Sequence, residues 1–239
     1  MPVSVTAIED GYDFRVLVLD DTWVVRIPRR PACAEALAVE ARLLPALAPA
    51  LPVRVPEFVY AAEVAVYPLI DGAPLVDEEE NVREFLLALH AFDVGDLPVP
   101  RPDWLETYAA QCDEFRRLIV PLLDGDERDR AETLFADVET LAGFEPVLTH
   151  SDLGPEHLLC RDGALVGVID WGDARVGDPA LDYSWLLNGP FPHWQVDDEL
   201  RRRARIYHRL SPWFEAHYGV FVERRVNVER GLAGIRTRL

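Results

Sequence analysis

The sequence predicts an α+β chain of two lobes, a small and mainly antiparallel β lobe followed by a larger helical one. Three observations carry that expectation. Two β-prone runs, 14–19 and 22–27, stand on either side of Asp20-Asp21 as the arms of a hairpin do. Along Tyr67-Pro68-Leu69-Ile70-Asp71-Gly72 the composition turns from β-prone to helical and acidic, which places a lobe boundary between residues 70 and 71. With 239 residues, 49% of them hydrophobic, the chain can fill one domain or two small cores.

The hairpin opens the chain. Before it, Glu9-Asp10-Gly11-Tyr12-Asp13 reads as a turn with a single glycine, whereas a loop that covers phosphates ordinarily uses several so that backbone N–H groups come close. Pro28 ends the second arm. Residues 32–47 then follow a helical period, with Leu37, Leu44, Leu47 and Glu40 on one side. A carboxylate on an inward face needs a partner, and Arg26, the one basic residue inside the preceding strand, supplies it. Pro49, Pro52 and Pro56 break the helix, and residues 57–60 and 64–68 read as two further strands. Beyond the boundary come helices over 77–92, with Val82, Phe85, Leu86 and Leu89 buried, over 104–122, and over 127–142 until Gly143 and Pro146 stop the last. Residues 183–239 complete the larger lobe with helices, one of them over 200–214 behind the cap Asp197-Asp198-Glu199.

The net charge is -18, from 42 acidic and 24 basic residues, and every basic residue is arginine. Residues 71–150 hold 20 acids against 6 arginines, while 151–239 are nearly balanced at 13 against 12. Such a field disfavours nucleic acid and anionic membrane and favours a cationic small molecule; a solvated acidic face that serves solubility explains it equally. Cys33, Cys112 and Cys160 stand far apart, without metal spacing and odd in number, so a reducing, cytoplasmic setting is expected. The N-terminus shows no basic leader followed by an apolar run, and no stretch is long and apolar enough to span a membrane.

The chemistry concentrates between Thr149 and Asp182. Gly154 and Pro155 make a tight loop that sets Asp152 and His157 around one small space, where Asp152 can orient a hydroxyl or accept its proton and His157 can offer a ring nitrogen to a divalent cation. Arg161-Asp162-Gly163-Ala164 reads as a hairpin turn, and the strand Leu165-Val166-Gly167-Val168-Ile169 returns to deliver Asp170. A carboxylate closing a fully apolar strand calls for a cation, and Mg2+ bridging phosphate oxygens is the expected one. Asp178 reads as the cap of the next helix and Asp182 as a support from its first turns; both are expected to be structural.

Together, His150-x-Asp152-x-x-x-x-His157, Ile169-Asp170-Trp171-Gly172-Asp173 and Gly177-Asp178-Pro179-x-x-Asp182 resemble the aminoglycoside phosphotransferase family, a bilobal group related to protein kinases, and within it the 2''-phosphotransferase branch. Upstream, Gly11-Tyr12-Asp13, Val24-Val25-Arg26-Ile27-Pro28-Arg29, Glu40 and Phe85-Leu86-x-x-Leu89-His90 extend the resemblance over most of the chain. It implies a protein-kinase-like fold, with residues 1–70 as a nucleotide-binding lobe and 71–239 as a helical lobe holding the catalytic loop and substrate site. It implies transfer of the γ-phosphoryl of ATP or GTP, with Mg2+, to a hydroxyl of an aminoglycoside-like cationic antibiotic. Asp152 matches the catalytic aspartate and Arg26 with Glu40 the strand–helix ion pair. Gly11, Arg26, Tyr67, Leu69 and Ile70 match nucleotide contacts, and His157 and Asp170 match metal ligands. Asp197, Asp198, Glu199 and Glu215 become candidates for holding substrate ammonium groups, His150 joins Asp178 and Asp182 as structural, and a monomer or weak dimer is expected.

Three departures stand out. Arg26 occupies a position where lysine is usual, His157 one where asparagine is commoner, and the glycine loop is sparse. They keep open the same chemistry on another hydroxyl compound, such as a macrolide, a basic peptide antibiotic or an amino alcohol. They also keep open a kinase-like protein that binds without catalysis.

Overall fold

The structure, a computed structural model, describes residues 4–8, 11–76 and 81–239. Glu9 and Asp10 of the expected turn and residues 77–80 of the expected helix lie outside them. Compactness divides the chain into residues 1–101 with 147–176 and residues 102–146 with 177–239. This differs from the boundary expected at 70/71, and the pairing of strands explains why: the segment that carries Asp152 and Asp170 is hydrogen-bonded to residues on both sides of that boundary.

In the first unit, β1 (Val5–Ile8), β2 (Phe14–Leu19), β3 (Trp23–Pro28), β4 (Tyr60–Ala61) and β5 (Ala65–Pro68) form one antiparallel sheet in the order β1-β2-β3-β5-β4. The β2–β3 turn is the expected one. Asp20 and Asp21 both adopt positive φ, 50° and 49°, which Asp tolerates better than most residues, and with Thr22, whose N–H donates to Leu19 O at 3.0 Å, they form the three-residue connection between paired Leu19 and Trp23. Strand β1 has no counterpart among the sequence expectations, and β4 is shorter than the run over 57–60. Helix α1 (Pro31–Leu47) starts with proline in its first turn and buries Cys33, Leu37, Glu40, Leu43, Leu44 and Leu47. Phe14, Cys33, Leu37 and Ala65 form the core between it and the sheet, so Arg26 and Glu40 meet on its buried side.

Strand β6 (Ala73–Pro74) pairs with β8 (Leu158–Arg161), which pairs with β9 (Ala164–Val168); β7 (Val147–Thr149) pairs with β10 (Arg175–Gly177). Arg54 joins β9 from upstream, its N–H donating to Val166 O at 3.0 Å while its carbonyl accepts from Val168 N at 2.9 Å. The β8–β9 turn is of two residues, Asp162 and Gly163 at φ 54° and 80°, as the sequence predicts. Helix α2 (Val82–His90) buries the four apolar residues expected of it. Its entry residue, Asn81, exchanges two 3.0 Å bonds with the backbone of Leu165, as a strand neighbour would.

The second unit is helical: α3 (Trp104–Leu118), α4 (Gly125–Val138), α5 (Ala180–Asn188), α6 (Asp198–Phe221) and α7 (Arg225–Arg238). Asp124 and Glu127 close a reciprocal capping box on α4. Phe115, Phe135 and Trp213 pack at 4.9 to 6.4 Å between ring centres in its core. The three cysteines are buried and none is in a disulfide, and no described helix is long and apolar enough to cross a membrane.

Candidate active site

Period-two alternation puts Phe14, Val16 and Arg26 on one face of the β2–β3 hairpin, and that face is buried. The Arg26 guanidinium lies 3.9 Å from the centre of the Phe14 ring, donates from Nη1 to Glu40 Oε2 at 2.7 Å and from Nη2 to Asp170 Oδ1 at 2.8 Å. Burial works against its charge, but Glu40 and Asp170 more than offset this and hold its pKa above the ordinary value. Burial pushes the Glu40 carboxyl the other way, up to about 7, against the pull of Arg26. Arg26 gains from two carboxylates, whereas fully buried Glu40 accepts one bond and its Oε1 has no hydrogen-bond partner among the described residues. Tyr67, buried on β5, adds a phenol to the same cluster, its pKa raised by burial despite Arg26.

The loop after β7 turns through Ser151 at φ 73°. His157, at the end of a short 3-10 turn, places Nδ1 2.6 Å from the carbonyl oxygen of Asp152. A carbonyl can only accept, so Nδ1 carries the proton, and Nε2 faces Asp170 Oδ2 at 3.7 Å. The same Nδ1 is 3.7 Å from Asp152 Oδ2, so one imidazole stands between the two carboxylates. Asp170 itself sits in the left-handed region at φ 63°, a conformation that costs about 1 kcal/mol or more outside glycine. Beneath it, buried His150 contacts Ile169 O through Nε2 at 2.9 Å and meets Trp171 edge-on, while Trp171 Nε1 donates to Val168 O at 3.0 Å.

Loss of hydration, then the neighbouring Asp173 and Asp170, raise the Asp152 pKa to about 6 although His157 lowers it. With its pKa below 7 the group is mostly ionised at neutral pH, and its side chain, 54% exposed, is open to a proton donor. Burial opposes the charge on His157, yet Asp152 and Asp170 raise its pKa overall.

The donor set fits a magnesium ion. His157 Nε2 and Asp170 Oδ2, 3.7 Å apart, can both reach one cation at about 2.1 Å. The bond from Nδ1 to the loop carbonyl fixes the tautomer that frees Nε2 for this purpose. Two side chains would leave most of a magnesium shell to water and phosphate oxygens, which that ion accepts.

The remaining expected residues fall as follows. Gly11 has no room for a side chain, since a Cβ would lie 2.6 Å from Phe14 O. The Leu69 N–H is taken by Thr22 O at 2.7 Å, and Ile70 is buried with its Cγ2 close against Gly167, so the segment over 67–70 is held at fixed points. In the second unit, Asp178 is fully buried and holds Arg203 Nε at 2.8 Å, Tyr207 OH at 3.1 Å and the Ala180 N–H at 2.9 Å, while Asp182 is buried in the first turn of α5. Asp197 caps α6, whose first turn carries Asp198; Glu199 pairs with Arg202 at 2.8 Å and Glu215 with Arg230 at 3.4 Å. Three groups went unforeseen: the Phe14 ring under Arg26, Asp173 with its partner Arg175 at 2.9 Å, and an ion pair between Arg30 and Asp13. Only Phe14 left a signal, because its register puts it diagonally beside Arg26 on the same face.

Residues 4–218 match the model of the phosphotransferase enzyme family. The viomycin phosphotransferase of Streptomyces vinaceus is 32% identical over 130 residues, which are 47% of this chain and 45% of that protein, so the match spans less than half of that relative. Among solved structures, the GDP and kanamycin complex of APH(2")-IIia superposes with a TM-score of 0.88 at 24% identity, covering 100% of this chain and 94% of that one. The macrolide 2'-phosphotransferase MphH from Brachybacterium faecium gives 0.74 at 28% identity, covering 97% and 92%. The protein-kinase-like α+β architecture expected from the sequence is the one found.

Proposed function

The chain belongs to the phosphotransferase enzyme family, and from that premise we propose that it transfers the γ-phosphoryl of ATP or GTP to a hydroxyl of a cationic antibiotic of the aminoglycoside type. The observation that carries the reading is the single imidazole of His157 standing 3.7 Å from a carboxylate oxygen of both Asp152 and Asp170. That arrangement joins a proton acceptor and a cation site in one space. Asp152, with its pKa near 6, orients the acceptor hydroxyl and takes its proton as the oxygen attacks. Asp170 and His157 would hold Mg2+, which would supply positive charge to neutralise the phosphate oxygens. Arg26 keeps its charge under Glu40 and Asp170 and presents it to the phosphates. The rigid stack on Phe14 limits its movement, which favours positioning over flexibility. His150, Asp178 and Asp182 act as structural supports, and Asp197, Asp198, Glu199 and Glu215 stay candidates for substrate amines, three of them in competition with the partners they already hold.

The acidic excess over residues 71–150 supports a cationic acceptor. A basic peptide antibiotic is the second reading, favoured by the 32% identity to the viomycin enzyme. Purified protein incubated with ATP or GTP, Mg2+ and kanamycin, viomycin or a macrolide is expected to release nucleoside diphosphate with one of the cationic acceptors. Turnover should fall at least about 100-fold in Asp152→Ala with folding retained. Diphosphate release no greater than without acceptor, across the whole set, defeats the proposal.

A further inference from the structure

We propose that Phe14 is a positioning residue of the phosphotransfer site: its ring is the platform that sets the Arg26 fork and, through that fork, the orientation of the Asp170 carboxylate. The inference rests on the phosphotransferase reading above and deepens it. Phe14 and Arg26 are diagonal neighbours on one face of the hairpin, since Phe14 pairs with Pro28 and Val16 with Arg26. The guanidinium carbon of Arg26 lies over the ring, 3.9 Å from its centre, and both residues are buried. Guanidinium groups favour the face of an aromatic ring, which restricts the plane of the fork as well as its position. From there Nη1 meets Glu40 Oε2 at 2.7 Å and Nη2 meets Asp170 Oδ1 at 2.8 Å.

Asp170 is the group that needs this support. Its backbone is set in the left-handed region at φ 63°, but its side chain is 47% exposed, and the last torsion of a carboxylate is soft. The bond to Arg26 takes one oxygen and leaves the other, Oδ2, 3.7 Å from His157 Nε2, the pair that fits a cation. A lysine in place of Arg26 would bring a single nitrogen to two carboxylates and would give the ring no plane to hold. The backbone packs against the same three groups: a Cβ built on Gly172 would stand 3.5 Å from Glu40 Oε1, 3.9 Å from Asp170 Oδ1 and 4.0 Å from Arg26 Nη2. Phe14 also belongs to the core with Cys33, Leu37 and Ala65, a role that an apolar side chain of similar volume can fill. Holding a guanidinium requires the ring.

The test separates orientation from packing. Binding of GDP and of ADP is measured by calorimetry with Mg2+ and with EDTA, and the ratio of the two affinities reports the cation site. In Phe14→Leu that ratio is expected to fall by about 10-fold, through loss of a desolvated cation–π contact. Arg26→Lys should show a fall of the same order. The double variant should fall no further than Arg26→Lys alone, because the platform then has no fork to hold. Phe14→Tyr, which keeps the ring face, should stay within about 3-fold of the parent. If Phe14→Leu does not fold, Phe14→Met, apolar and without a ring, takes its place. A role in packing alone lowers thermal stability and leaves the ratio unchanged, and two effects that do not communicate multiply in the double variant. Either result, or a parent whose nucleotide binding is indifferent to Mg2+, overturns the proposal while leaving the phosphotransferase reading intact. Absence of nucleotide binding by the unsubstituted protein removes that reading and this one together.

Discussion

Replacing Glu40 by Gln tests the electrostatic core of the site, because it keeps the shape of the side chain and removes its titration. Glu40 is fully buried and its pKa is raised from 4.5 to about 7, with burial as the main cause and Arg26 acting against it. A carboxyl whose folded pKa lies above its unfolded value binds more protons folded than unfolded between the two, so stability falls as pH rises through that window. At about 1.36 kcal/mol for each pH unit, the interval from 4.5 to 7 amounts to roughly 3 kcal/mol. Glutamine has no such dependence. Subtracting the unfolding free energy of the parent from that of Glu40→Gln at each pH cancels the other titrating groups. The difference should move in favour of the variant by about 3 kcal/mol between pH 4.5 and pH 8, which for a chain of this size is about 6–12 °C in Tm. Over the same range the variant should lose activity, since Arg26 is left with Asp170 alone to aim it. The trade of stability for a charged, oriented guanidinium is what a functional site exhibits. A difference that stays within about 1 kcal/mol across the range would falsify the raised pKa and, with it, the claim that this pair is held at a cost.

Two further perturbations probe the second unit. Asp178→Asn leaves the Arg203 guanidinium, 7% exposed, facing a neutral group, and stability measured by denaturant should fall by about 3–5 kcal/mol; the double variant Asp178→Asn with Arg203→Met should recover part of the loss. His208 is depressed to about 4 by burial and then by Arg238. A histidine that stays neutral when folded contributes stability that is complete above its unfolded pKa near 6.5 and is lost as pH falls toward 4, so thermal scans of the parent should decline across that window more steeply than those of His208→Asn.

Most of what the sequence disclosed lay in short stretches whose chemistry is local. The Asp20-Asp21 and Asp162-Gly163 turns, the stripe of α1 and the capping of α4 are decided by residues within a few positions of one another, and the structure has them where pattern alone puts them. The site was legible for a related reason. A charged group on the buried stripe of a helix is costly without a partner, so Glu40 announced the cation it needed, and Arg26 answers it at 2.7 Å; for Asp170 the sequence called for Mg2+, and the contact it makes with Arg26 at 2.8 Å was not foreseen.

What stayed hidden is what depends on residues far apart. Asp178 reads as a helix cap, and its bond to the Ala180 N–H fits that reading, but its larger role is to neutralise Arg203, 25 positions on, which no local pattern reveals. Helix α6 is another case: the expected end at residue 214 is passed, and Pro212 lies inside the helix. Packing overrides the local break there. Trp213, Ala216 and Gly219 are buried, and Gly219 and Gly231 let α6 and α7 approach so closely that a Cβ on either would come within 2.5 Å of the other helix's backbone. A helix stop written in the sequence yields when the continuation buries more than the break would spare.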